Sequence, residues 1–322
     1  MIQNVRKQIN KCYDYAVMGI VTSIFKKRML HRYDKDGYTP YLSSENFSGL
    51  NKETHTFINS LGVEISYFYY YYDNYNPSLI ILFLHGLGPG HTAYIREIET
   101  LAKMGYKVLT LDYMGCDSSK GDKLPSLNEP TRDVDDLLNY LQIDKQIVVI
   151  GHSLGAYTTL NIMNIRDEIK KAVVISGFLR PDIVLNALLG TKIFSGSIAR
   201  YEKKIEPKYF PINNYEYVKN TNDKLMLIHS KDDPVVNYDA AMKPVFEANN
   251  PNIQIVTVDG RGHNPNYSDE AAKMVTEVFA KYYKLKKDAD KKKLMENLDP
   301  WKITEQDPEI FKKIQKFIEE SW

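Results

Sequence analysis

Hydrophobic positions fall into short unbroken runs through the middle of the chain: Leu79–Leu84, Val108–Leu111, Ile147–Ile150, Ala172–Ile175, Leu225–Ile228 and Ile253–Val258. Apolar runs of this length without polar alternation predict strands covered on both faces. Between most of them, segments with helical spacing lie at about Ala93–Met104, Thr131–Leu141, Leu154–Ile165 and Tyr238–Ala248, and Asp269–Tyr283 follows the last run. Strand and helix in turn predict an α/β fold with a mostly parallel central sheet covered by helices on both faces. Two apolar runs before Leu79, Thr56–Ile58 and Val63–Tyr72, predict an antiparallel hairpin joined to one edge. The aromatic stretch Tyr67–Tyr72 within it suits a strand.

The rhythm breaks between Phe178 and Asp223, where no strand-like run of similar quality appears although a crossover needs only a dozen or more residues. Ile183, Val184, Leu185, Ala187, Leu188, Leu189, Ile193 and Phe194 make one short, strongly apolar helical stretch there, and the polar, Tyr-rich, Pro-broken segment Tyr201–Tyr217 follows. This interval predicts a small helical cap inserted over a pocket. Near the start, Val5, Ile9, Cys12, Ala16, Val17, Ile20 and Ile24 share one helical face. They predict a helix docked on the body or, as the alternative, one lying on a membrane surface with its basic residues outward. The run Ala16–Phe25 is about half of the ~20 residues that a spanning helix needs. Near the other end, Ile310, Phe311, Ile314, Phe317 and Ile318 predict an amphipathic helix packed back on the domain, after a Lys-dominated, solvated stretch from Lys281 to Lys293. The expected organisation is a helical extension at 1–50, a core of 51–177 with 224–286, a cap at 178–223, and a helical tail at 287–322.

Composition narrows the function classes. The 42 Lys and Arg residues against 41 Asp and Glu leave a net charge of +1, so no overall field favours nucleic acid or an acidic partner. Cys12 and Cys116 are too few for a disulfide framework and lack the spacing and His partners of a zinc site, which fits a reducing, cytoplasmic setting. Lys26, Lys27 and Arg28 follow the N-terminal apolar run where a signal peptide would carry its cleavage site, which argues against secretion.

Gly151-His152-Ser153-Leu154-Gly155 lies where the run Ile147–Ile150 meets a helix. A strand-turn-helix setting holds a serine on a sharp turn with its hydroxyl exposed, and glycines two positions either side relieve the crowding. The bland alternative is an ordinary helix start capped by Ser153. A serine hydroxyl needs a base to take its proton. Of the seven histidines, His263 follows the last core strand in a Gly-rich loop and is the favoured base, with His91 as its competitor near the pocket. The orienting acid should follow the penultimate strand, where Asp232 and Asp233 are adjacent. Asp233 is favoured because it directly precedes the Pro234-Val235-Val236 turn, and Asp232 stays open. The loop His85-Gly86-Leu87-Gly88-Pro89-Gly90 turns inward after Leu84, so the N–H groups of Leu87 and Leu154 are the candidate oxyanion hole. That loop lacks the Lys-Ser/Thr of a phosphate-binding loop and the glycine spacing of a dinucleotide site.

With these motifs in order, the chain resembles the α/β-hydrolases, and more narrowly the esterase and monoacylglycerol-lipase-like, serine-aminopeptidase-like group. The resemblance covers roughly Thr56 to Leu285 and includes the strand end Leu111-Asp112-Tyr113-Met114-Gly115. It implies Ser153 as nucleophile, His263 as base, Asp233 as acid, and Leu87 and Leu154 as oxyanion donors, with no metal or organic cofactor. Acyl transfer to water from a hydrophobic carboxylic ester is the expected reaction. Aminopeptidase or amidase, thioesterase or acyltransferase chemistry on the same residues is the alternative, and a non-catalytic binding protein of this fold is a more distant one. The sequence departs from the group at Cys116-Asp117-Ser118-Ser119, where many relatives have a second glycine.

Overall fold

The computed structural model describes residues 19, 22–181 and 195–321. Its centre is an eight-stranded sheet: β1 (Asn51–Ile58), β2 (Glu64–Tyr71), β3 (Leu79–Leu84), β4 (Lys107–Leu111), β5 (Gln146–His152), β6 (Lys171–Ile175), β7 (Lys224–Ser230) and β8 (Ile253–Val258), in the spatial order β1-β2-β4-β3-β5-β6-β7-β8. The hairpin β1–β2 is antiparallel and joins β4 antiparallel, and every later pairing is parallel. β5 runs two residues beyond the predicted apolar run, through Gly151 and His152, so that Ser153 stands directly at the strand's end.

The helices are α1 (Ile95–Lys103), α2 (Glu129–Leu141), α3 (Leu154–Ile165), α4 (Ser195–Ile205), α5 (Asn214–Asn220), α6 (Tyr238–Ala248), α7 (Asp269–Tyr282), α8 (Asp288–Glu296), α9 (Pro300–Ile303) and α10 (Pro308–Glu319). Successive side chains of a strand point to opposite faces, so each unbroken run serves two cores. On one face Ile81, Phe83, Val148, Ile150, Val173 and Ile228 pack with α1 and α10. On the other, Ile80, Leu82, Leu84, Val149, Val174 and Leu227 pack with α2, α3 and α6. Buried over most of its length, α3 has no polar side, as a helix enclosed all round requires.

The polar segment 201–217 holds the end of α4 and the start of α5, separated by the non-helical stretch 206–213 with Pro207 and Pro211; Asn213 starts α5 by accepting from the Glu216 N–H. The apolar cap stretch 183–194 and the N-terminal face at 5–20 lie outside the described residues apart from Gly19, while residues 22–29 are helical and Phe25 and Leu30 are buried.

α10 is fastened at both ends. Asp307 caps its start by accepting from the Glu309 and Ile310 N–H groups. At its end the buried ammonium of Lys171, on the first residue of β6, donates to the carbonyls of Phe317, Ile318 and Glu320. Terminal carbonyls of a helix have no partner within it, and a cation suits the negative end of its dipole. Ile310, Phe311, Ile314, Phe317 and Ile318 are all buried against the sheet. Among the described residues no helix is long and apolar enough to cross a membrane.

Candidate active site

Parallel strands deliver their C-terminal ends to one rim. Leu84 pairs with Gly151, His152 with Ile175, Ile175 with Ile228, and Ser230 with Val258. The loops after β3, β5, β6, β7 and β8 therefore meet there, and they contain every candidate residue named above.

Ser153 has φ +56°, ψ −115°, a conformation that L side chains rarely adopt. Its neighbours permit the turn because they have no side chains. A Cβ on Gly151 would collide with the backbone of Gly155, and one on Gly155 would collide with the carbonyls of Leu84 and His85. Helix α3 can approach β5 and β3 this closely only with glycine at Gly151 and Gly155. The Ser153 N–H donates to the Ile175 carbonyl at 2.9 Å, which ties the turn to β6.

His263 Nδ1 donates to Asp233 Oδ2 at 2.8 Å. Asp233 Oδ1 accepts from the Val235 and Val236 N–H groups at 2.8 and 2.9 Å, and His229 Nε2 stands 3.3 Å from Oδ2. Burial opposes the charge on Asp233, yet the hydrogen bonds from His229, His263 and the Val236 N–H outweigh it and hold the carboxyl well below the ordinary range. Asp232 faces elsewhere: its carboxylate accepts from Ser230 Oγ and from the Arg261 and Gly262 N–H groups. Of the two adjacent carboxylates, one meets the imidazole and the other braces the loop that carries it.

The His263 carbonyl accepts from His152 Nε2 at 2.8 Å and from Ser176 Oγ at 3.0 Å. A carbonyl can only accept, so His152 carries its proton on Nε2, and its Nδ1 receives the Tyr94 hydroxyl at 3.0 Å. Burial, with the nearby His263, pushes His152 down to about 3 and keeps it neutral. His263 is thus anchored through its backbone to the residue before Ser153. Its Nε2, the nitrogen away from Asp233, makes no hydrogen bond with a described residue, and the same holds for Ser153 Oγ.

The His85–Gly90 loop lies alongside. A Cβ on Gly86 would sit 3.3 Å from the Ser153 Cβ and closer still to the Tyr94 hydroxyl, so glycine lets this backbone reach the serine. Beneath it, buried His85 stacks on Tyr113 at 3.9 Å, donates from Nδ1 to the Gly86 carbonyl and receives the Tyr113 N–H on Nε2. Burial pushes His85 down to about 4. Leu154 opens α3, where the N–H has no intrahelical acceptor, and the Leu87 N–H donates to no backbone carbonyl among the described residues.

His91, the competing base, is committed elsewhere. Its Nδ1 contacts Asp112 Oδ1 at 2.8 Å, its Nε2 contacts the Tyr70 hydroxyl at 2.9 Å, and its ring stacks on Phe68 at 3.9 Å. Burial opposes ionisation of Asp112, but the His91 imidazole and N–H hold its carboxyl at about 2. This pair closes the start of the loop, where a Cβ on Gly90 would collide with Asp112. Sequence reasoning missed His229, Ser176 and Tyr94. For His229 a signal was present, a histidine four residues before the acid at a strand end; for the other two none was. Among the described residues no cluster of His, Cys, Asp or Glu could hold a metal ion.

A family model described as alpha/beta hydrolase fold matches residues 80–196. The lysophosphatidylserine lipase ABHD12 of Bos taurus is 28% identical over 192 residues, 51% of this chain and 44% of the relative. The probable esterase PIR7A of Oryza sativa subsp. indica is 25% identical over 146 residues, 44% of this chain and 52% of the relative. The chain thus spans about half the length of the curated relatives it matches. Among solved structures, an esterase of Pyrococcus furiosus superposes with a TM-score of 0.57 at 22% identity, covering 79% of this chain and 97% of that one, a likeness of fold. The chain is an α/β-hydrolase-fold protein, similar to esterases and lipases of that fold.

Proposed function

We propose that the protein is a serine hydrolase of carboxylic esters that carry a hydrophobic acyl or alcohol part. The observation that carries this reading is the Asp233–His263 pair, anchored through the His263 carbonyl beside a serine on a positive-φ turn. Ser153 Oγ attacks the ester carbonyl while His263 Nε2 takes its proton. The carbonyl oxygen becomes an oxyanion held by the Leu87 and Leu154 N–H groups. Collapse of this intermediate breaks the carbon–oxygen bond, and His263 returns the proton to the departing alcohol. A water then repeats the sequence on the acyl-serine and releases the acid. Asp233 stays ionised throughout and stabilises the imidazolium. The similarity to esterases and lipases supports this substrate class over the alternatives.

Binding an amino terminus calls for free carboxylates in the cap, and those described there are engaged. Glu202 accepts from the Leu127 N–H and Asn128 Nδ2, and Glu206 pairs with Arg132. Asp182 lies outside the described residues. We place the protein in the cytoplasm on its thiol usage alone; Cys116 is buried and free.

The test is labelling with a fluorophosphonate probe together with hydrolysis of p-nitrophenyl esters. Labelling and turnover that vanish in Ser153→Ala support the reading. Native protein that does not label, or labelling that survives the substitution, overturns it, and activity confined to aminoacyl amides replaces the ester with an amide.

A further inference from the structure

A cavity of about 270 Å³ adjoins the framework of the candidate site. Three of its lining residues belong to the site's own framework. They are Leu87 of the oxyanion loop, Asn264 next to His263, and Tyr94, whose hydroxyl bonds His152. The opposite wall comes from the C-terminal region, with Phe279 on α7, Leu298 after α8 and Ile303 on α9, and Leu42 closes it from the N-terminal side. Arg96 also reaches this wall, but its guanidinium lies over the rings of Trp301 and Phe47, at 5.0 and 5.7 Å, and near Glu99 at 3.8 Å. The charge is thereby drawn into an aromatic stack, and the space it borders is bounded mainly by hydrocarbon.

A second cavity, of about 390 Å³, lies under the described part of the cap and brings Arg180 and Glu202 to its wall. None of its lining residues belongs to the oxyanion loop or to the His263 loop. Of the two, only the cavity walled by the C-terminal region has described lining residues from the oxyanion loop and from the segment next to His263.

We propose that this cavity is the binding site for an unbranched alkyl chain of the substrate, so that the C-terminal region sets chain-length preference. The inference rests on the ester reading above and deepens it. A cavity of about 150 Å³ lined by aliphatic and aromatic side chains takes up benzene, which scales here to a chain of roughly six to ten carbons. Each methylene removed from water is worth a factor of roughly four in affinity, so a chain filling the space is strongly preferred over acetate. Beyond the far wall the chain runs into Leu298 and Ile303, which ends the preference.

The test measures kcat/KM for p-nitrophenyl esters from acetate to dodecanoate, and in parallel for acetate esters from ethyl to decyl. In Leu298→Trp the ratio of octanoate to acetate, or of octyl to ethyl, falls at least tenfold, and in Leu298→Ala the optimum moves to longer chains. The series that responds identifies which end of the ester enters. Unchanged ratios in both series, in variants of normal melting temperature, overturn the proposal. A measurement without turnover stands beside it: 8-bromooctanoate quenches the fluorescence of Trp301, which lies between the lining residues Pro300 and Ile303. Saturable quenching that is lost in Leu298→Trp places the chain in the cavity even if no ester is cleaved, in which case the ester reading alone fails. Absence of quenching in the native protein overturns the cavity assignment.

Discussion

Arg261 and Asp307, forty-six residues apart, are joined at 2.5 Å, and with the Asp307 N–H donating to the Asn266 carbonyl at 2.8 Å this contact links the loop carrying His263 to the start of α10. Asp307 also caps that helix, while Arg261 further donates to the Tyr267 carbonyl and to Asp269. The base of the candidate site is thus held by the far end of the chain. Removing one member of a largely buried pair leaves the other desolvated without compensation. Arg261→Leu is expected to lower stability by about 1–3 kcal/mol and kcat by about tenfold, because the loop loses its brace. Thermal unfolding and ester kinetics check it; no change in either would show the contact to be incidental.

The two adjacent aspartates should separate by phenotype. Asp233→Asn removes the acceptor that fixes the His263 tautomer, and kcat should fall about 10⁴-fold with little change in melting temperature. Asp232→Asn weakens the acceptors of the Arg261 and Gly262 N–H groups, so its main effect is on melting temperature, with a loss in kcat on the order of tenfold. The opposite ranking would reassign the acid.

His229 bonds the Val236 carbonyl at 2.9 Å through the same Nε2 that faces Asp233, so this nitrogen carries the proton. We expect His229→Phe to lower kcat by roughly tenfold with KM nearly constant, since Asp233 loses a buried donor. His229→Gln, which can donate in place of the imidazole, should recover part of the loss. Equal defects in both variants would point to packing alone.

Glu97 presents a different electrostatic case. It is buried, burial pushes its carboxyl up to about 7, Asn266 Nδ2 donates to its Oε1, and both Glu97 Oε2 and Asn266 Oδ1 lack partners. A proton on Oε2 removes the charge that burial opposes there. Because the folded value lies above the unfolded one, its stabilisation is complete below the unfolded value and is lost as pH rises through about 7. Glu97→Gln is neutral at every pH. Its melting temperature relative to the native protein should rise between about pH 5 and pH 8, by the equivalent of up to about 3 kcal/mol. A difference independent of pH would refute the protonated state. His85 and His152 act in the other direction. Their folded values, about 4 and about 3, lie below the unfolded one, so their contribution is lost as pH falls below about 6.5.

Much of this architecture is legible from local pattern. The sheet strands are short, apolar and unbroken because both faces are covered, and the serine turn is marked by Gly151 and Gly155, which nothing larger could replace. What escapes is decided by orientation across the fold. Asp232 and Asp233 differ only in which one the Val235 and Val236 N–H groups draw inward. His91 has a suitable position along the chain, but Asp112 and Tyr70 hold both its nitrogens. The apolar cavity is assembled from Leu42, Leu87, Asn264 and Leu298, so no stretch of sequence announces it.

The grip of Lys171 on the end of α10 bears on how the molecule is made. Chains emerge from the ribosome N-terminus first, and β6 is complete about 150 residues before the carbonyls that satisfy its buried ammonium exist. One face of the sheet, from Ile81 to Ile228, is covered only in part, by α1, until the same segment arrives. Folding can begin during translation, but the interior closes only once residue 320 has cleared the exit tunnel, and a stalled or shortened product would present that open face to chaperones.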